Sequence, residues 1–156
     1  MSEAGDKETS ASERGTSTLR VGYLLLAVTI PFGVVLEALH GFKVEAFMAS
    51  EMRRELFRLA HAHGAFLGIL CLVYGALSER RRPPDGAKPE ALAAHENEQG
   101  SASFWLATGA VLMPVGFFLG GILNSEGDPS LGIVLVPVGA ACLVVALYRA
   151  AAKPPR

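Results

Sequence analysis

The sequence predicts an all-α integral membrane protein, a four-helix transmembrane bundle, on three observations. Four apolar runs, Val21–Leu36, Leu59–Leu77, Phe104–Leu123 and Leu131–Leu147, fill most of a chain of 156 residues. Each is near the roughly 20 residues that a helix needs to cross a bilayer core of about 30 Å. The runs mostly lack the polar face that a soluble helix shows every three to four residues. Charge is segregated outside them, almost all of it in the first 20 residues, in 37–58, in 79–98 and beyond Tyr148.

The expected order begins with a polar, Ser- and Glu-rich tail over 1–18, read as a disordered cytoplasmic tail. Its acids Glu3, Asp6, Glu8 and Glu13 are unlike a short basic leader, so the first span is expected to be a retained anchor. Spans are placed at about 20–40, 57–77, 104–123 and 131–148, within a membrane domain of 19–149 that ends in a tail over 150–156. Between the first two lies VEAFMASEMRRELFR, from Val44 to Arg58, free of Gly and Pro. It reads either as an interfacial helix or as an extension of the second span beyond the membrane. Glu51 with Arg54, and Glu55 with Arg58, stand at i,i+3 and support both versions. The stretch 79–101 carries Pro, Gly and charge and is expected to be a flexible loop, with one or two helical turns near 89–98. A short acidic connection, NSEGDPS, makes the last two spans antiparallel neighbours.

Orientation follows from the basic residues. With four spans, both termini and the 79–101 loop share one side, and that side holds ten of the 14 Lys and Arg, including Arg80, Arg81 and Arg82. The other side holds Lys43, Arg53, Arg54 and Arg58. The excess places both termini in the cytoplasm of a multi-pass protein of the cell membrane. A net charge of −1 gives no general attraction to nucleic acid, and none is expected as a partner. The lipid bilayer is the expected partner, with a homo-oligomer or a larger membrane complex beside it.

Packing signals are small residues and prolines. Gly64 and Gly68 form a GxxxG on the second span, and Gly116 and Gly120 another on the third. Such faces let backbones approach closely, within one chain or between two copies. The pattern VxxPxG recurs around Pro31, Pro114 and Pro137, and each proline is expected to free a carbonyl and kink its helix.

Chemistry is concentrated at one place. Glu37 and His40 close the first span, His61 and His63 open the second, and Arg54 and Arg58 stand just before them. Costly ionisable groups at membrane depth are functional candidates. Three readings compete: ion pairing that fixes the helical hairpin; haem or metal ligation by His40 with His61 or His63; and acid–base chemistry on a lipophilic substrate by Glu37 or a histidine. Residues two apart on a helix point about 200° apart, so His61 and His63 cannot share one ion. Cys71 and Cys142 lie inside apolar runs without metal or redox spacing and read as small buried hydrophobes.

The leading expectation is a small binding or accessory subunit with this His/Glu/Arg cluster at its non-cytoplasmic end. A haem- or metal-dependent redox protein or small isomerising enzyme is the alternative, and a small transporter the third. Contact between Glu37 or His40 and the Arg58–His63 segment is the geometric expectation they share.

Overall fold

A computed structural model describes residues 3–80, 87–123 and 130–152. The described residues contain helices and no strand. In chain order they are α1 (Glu3–Gly41), α2 (Glu45–Met48), α3 (Glu51–Arg80), α4 (Pro89–Ile122), a 3-10 turn (Leu131–Val134) and α5 (Leu135–Ala151). Four stretches are long and apolar enough to cross a membrane: Thr18–Gly41, Glu51–Arg80, His95–Ile122 and Leu131–Ala151.

Local chemistry sets the ends of these helices. α1 stops in a Schellman arrangement, in which Lys43 N–H donates to His40 O at 3.1 Å and Val44 N–H to Leu39 O at 3.0 Å. Lys43 takes the left-handed backbone, φ 51°, where glycine is the usual residue. α3 is started by Ser50, whose hydroxyl accepts from Arg53 N–H at 3.2 Å as an N-cap. α4 opens with Pro89 in its first turn, where the missing N–H costs nothing, followed by Glu90 at the positive end of the dipole.

Three expectations are corrected by these boundaries. α1 begins at Glu3, so the stretch read as disordered is helical; it lacks proline, and extending an existing helix needs no new nucleus. Of the loop expected over 79–101, the residues from Pro89 on are helical, because this Ala-, Glu- and Leu-rich stretch propagates α4 without a break. Pro137 falls in the first turn of α5, where its nitrogen is an orphan position, so it starts a helix instead of kinking one. Pro31 and Pro114 lie inside continuous helices. Of the two versions for 44–58, the structure has the extended second span, with α2 as a single turn before it. Arg81, Arg82, all but the last residue of the NSEGDPS connection, and the basic residues Lys153 and Arg156 lie outside the described residues.

The four long helices do not close into a ring. α4 is the hub and packs against α1, α3 and α5, while α1 and α3 pair with each other. No Cα of α5 comes within 8 Å of one in α1 or α3 among the described residues. The layout is a three-helix cluster with α5 laid on the outer side of α4. The buried centre is made by Leu67 and Cys71 of α3, Leu106 and Ala110 of α4 and Ala146 of α5. Elsewhere large apolar side chains point outward, Val28, Val34, Phe66 and Val144 among them, as expected of helices solvated by lipid chains.

Glycines set the seams. Gly22 of α1 and Gly68 of α3 face each other so closely that a methyl on Gly22 would lie 2.8 Å from Gly68 O. Gly64 receives Thr29 on the same seam, and Gly116 receives Leu135 and Val136 of α5. Gly120 has ordinary contacts with Leu56 and Ile133. Close backbone approach is the device by which helices associate where hydrophobic drive is absent.

Candidate functional site

The titratable residues near the end where α1 stops and α3 starts divide into two sets, and the division follows from where each helix face points. His61 lies on the face of α3 that meets α1. Its Nδ1 is 2.8 Å from Thr29 O, and since a carbonyl only accepts, Nδ1 carries the proton. Thr29 is buried, and its own hydroxyl donates to Leu25 O at 2.7 Å. The ring fits because residue 33 is glycine. A methyl there would overlap His61 Cε1 and lie 2.8 Å from Nδ1 and 2.9 Å from Nε2. The imidazole therefore fills a notch in α1 two residues after Pro31, and one N–H of α3 is spent on α1's backbone.

His63 faces the other way. Its Nδ1 donates to Leu59 O within α3 at 2.9 Å, and its ring packs 4.9 Å from Phe117 of α4. The two histidines thus serve different neighbours, as a separation of about 200° requires.

One turn outward from His61, three aromatic rings join three helices. Phe32 of α1 lies edge-on to Phe57 of α3 at 5.9 Å and to Phe118 of α4 at 5.4 Å, and Phe57 and Phe118 are 5.6 Å apart. Such contacts add about 0.5–1.5 kcal/mol per pair beyond their buried area. Gly121 makes room for the Phe57 ring, with a methyl there falling 2.6 Å from Phe57 Cε1.

Beyond the rings the arginines bind helix ends. Arg53 donates through Nε to Gly121 O at 3.3 Å, near the end of α4, and through Nη1 to Ala46 O of α2 at 3.0 Å. Arg54 donates to Met48 O. Both supply protons to carbonyls that a terminating helix leaves unpaired. Arg58 pairs with Glu55 at 3.0 Å on the exposed surface, a contact of little energetic weight. Arg54 is thus taken by a carbonyl and not by Glu51.

Glu37 and His40 complete the set of residues singled out from the sequence. Both are exposed at the end of α1, and neither side chain makes a hydrogen bond or ion pair among the described residues. The hairpin is joined by His61 to Thr29 O, not by an ion pair of Glu37. The structure brings together His61, Thr29 and Gly33, and separately Arg53, Ala46 and Gly121. No group of three His, Cys, Asp or Glu converges as a metal-binding set among the described residues.

Sequence reasoning passed over Arg53, Thr29, Gly33 and the Phe32–Phe57–Phe118 group. For Gly33 a signal existed: it is the glycine of VxxPxG. In all three copies that glycine sits at a close contact with a neighbouring helix, with Gly33 under His61, Gly116 under Val136 and Gly139 2.9 Å from Met113 N by the position of a methyl.

Comparison with protein-family models, curated proteins and solved structures finds no match to this chain.

Proposed function

We propose that the protein is a small multi-pass subunit of the cell membrane, both termini cytoplasmic, that binds a partner at its non-cytoplasmic end. The observation that carries this reading is the division of the polar residues. His61, Arg53 and Arg54 are used as joints between helices, whereas Glu37 and His40 stand exposed one turn apart at the end of α1. A carboxylate and an imidazole on one helix face offer an acceptor and a donor to a polar partner surface. The joints hold α1 rigidly against α3 and so present that pair in a fixed place.

A photo-cross-linking residue at position 40, in native membranes, tests this reading. A discrete adduct of defined mass, reduced by Glu37→Ala, is expected. Cross-links to lipid alone would contradict it.

A haem- or metal-dependent redox or isomerising protein is the second reading, and one feature favours it. His61 donates Nδ1–H to a backbone carbonyl, the pose in which a ligating histidine offers Nε2 to a metal. Against it, the ring is pressed onto Gly33 along the edge that contains Nε2.

A further inference from the structure

Because α5 leaves α1 and α3 clear, one face of α4 has no helix across it. Ala102, Leu106 and Ala110 are buried toward the core, and Gly109, Met113 and Gly116 lie in the α5 seam. The third face carries Asn97, Ser101, Phe104 and Thr108, at i, i+4, i+7 and i+11, and continues with Val111 and Val115. At its start is an open groove of about 410 Å³ lined by Asn97, Ser101, Ser103, Phe104, Ala107 and Thr108.

The groove is ordered along the helix axis. Amide and hydroxyl groups come first, at the end that also holds Arg149. Phe104, 62 % exposed, and Ala107 follow with Thr108, and beyond the groove the same face continues with the exposed Val111 and Val115. Arg149 of α5 donates through Nη1 to Ser101 Oγ at 2.7 Å and has no other polar partner among the described residues. Ser103 lines the groove with only 7 % of its surface exposed, and its hydroxyl has no partner among the described residues. A cation, a buried hydroxyl and an amide at one end, with an apolar track leading away, match an amphiphile with an anionic head.

We propose that this groove binds an anionic glycerophospholipid of the leaflet at the Arg149 end. The guanidinium takes the phosphate with its remaining N–H groups, Asn97 and Ser103 hydrogen-bond the head, and an acyl chain runs over Phe104, Val111 and Val115. The site rests on reading the helices as membrane spans, and it is separate from Glu37 and His40 at the opposite end.

Trp105, the single tryptophan, reports on the groove because its ring lies 5.6 Å from that of Phe104. The full chain is reconstituted into phosphatidylcholine vesicles containing chain-brominated phosphatidylglycerol or chain-brominated phosphatidylcholine, and Trp105 quenching is followed. Phosphatidylglycerol is expected to compete about fivefold better, the preference one arginine near a membrane surface provides. Arg149→Gln should remove the preference, and Ala107→Phe should reduce quenching by both lipids. Equal quenching in the unaltered protein, or a preference that survives Arg149→Gln, overturns the proposal. Competition by millimolar inorganic phosphate would mark a free-anion site and also overturns it. Failure of the chain to float with the vesicles would overturn the membrane reading itself, and the lipid site with it.

Discussion

The Nδ1 of His61 meets the carbonyl oxygen of Thr29 at 2.8 Å, across the seam between the first two long helices. The contact exists because Gly33, one turn further along α1, leaves the imidazole a place to lie. Thr29 O can accept both its own helical N–H and the histidine, since a carbonyl has two lone pairs. A histidine held in this way acts as a rivet.

The ring's position against Gly33 predicts that purified protein shows no Soret band that depends on His61 and no stoichiometric metal. Absorption spectra and elemental analysis of the unaltered protein and of His61→Ala and His40→Ala check this. A chromophore lost in His61→Ala would move the protein into the redox class.

Lys43 holds a left-handed backbone that costs a side-chain-bearing residue about 1–2 kcal/mol. Lys43→Gly should therefore raise stability by about 1 kcal/mol, less the glycine's greater freedom when unfolded. Lys43→Val should lower it. Thermal unfolding in mild detergent, followed by circular dichroism, gives both signs.

Arg53 ties α3 to the ends of α2 and α4 through two carbonyls. Arg53→Ala should cost about 1.5–3 kcal/mol, the range for hydrogen bonds to charged groups. Arg53→Lys should recover only part, because one ammonium cannot reproduce the two-armed geometry. The same unfolding measurement ranks the three proteins, and a lysine variant equal to the unaltered protein would contradict the clamp.

Cys71 and Cys142 are buried, at 0 % and 7 % exposure, so neither thiol should react with maleimide in the folded protein. Gly139→Leu collides with the backbone of Met113 and should lift α5 off α4. Labelling of Cys142 should then rise while Cys71, on α3, stays covered by α1 and α4. Equal labelling of both would mean that the helices do not separate along that seam.

What could be read from the sequence was set by one-dimensional signals. Apolar length marked the four long helices, and a spacing of two residues was enough to send His61 and His63 to different neighbours. The pattern VxxPxG was visible, but its use was not. Proline drew attention as a source of kinks, whereas the glycine two residues later makes the close contact in each copy, and Pro137 merely starts its helix. Glu37 and His40 were grouped with Arg54, Arg58, His61 and His63 because the hairpin ends share a side. Being at one end of a molecule does not by itself pair side chains, and those of Glu37 and His40 make no hydrogen bond or ion pair among the described residues. Arg53 escaped notice because its partners are backbone carbonyls of Ala46 and Gly121, which have no signature in a sequence. The four-helix bundle was inferred from the four apolar runs, but where a fourth helix docks is decided by which glycines face it. Here Gly109, Gly116 and Gly139 all hold α5 to α4.

A double-mutant cycle on Gly33→Ala and His61→Ala tests the rivet most directly, with unfolding free energy in mild detergent as the readout. Each single change should destabilise, Gly33→Ala by about 1–3 kcal/mol as overpacking against the ring. In the double variant the added methyl has no imidazole to strike, so the loss should be smaller than the sum by about 1–2 kcal/mol. Strict additivity, or a Gly33→Ala protein as stable as the original, would mean that His61 does not lie in the Gly33 notch.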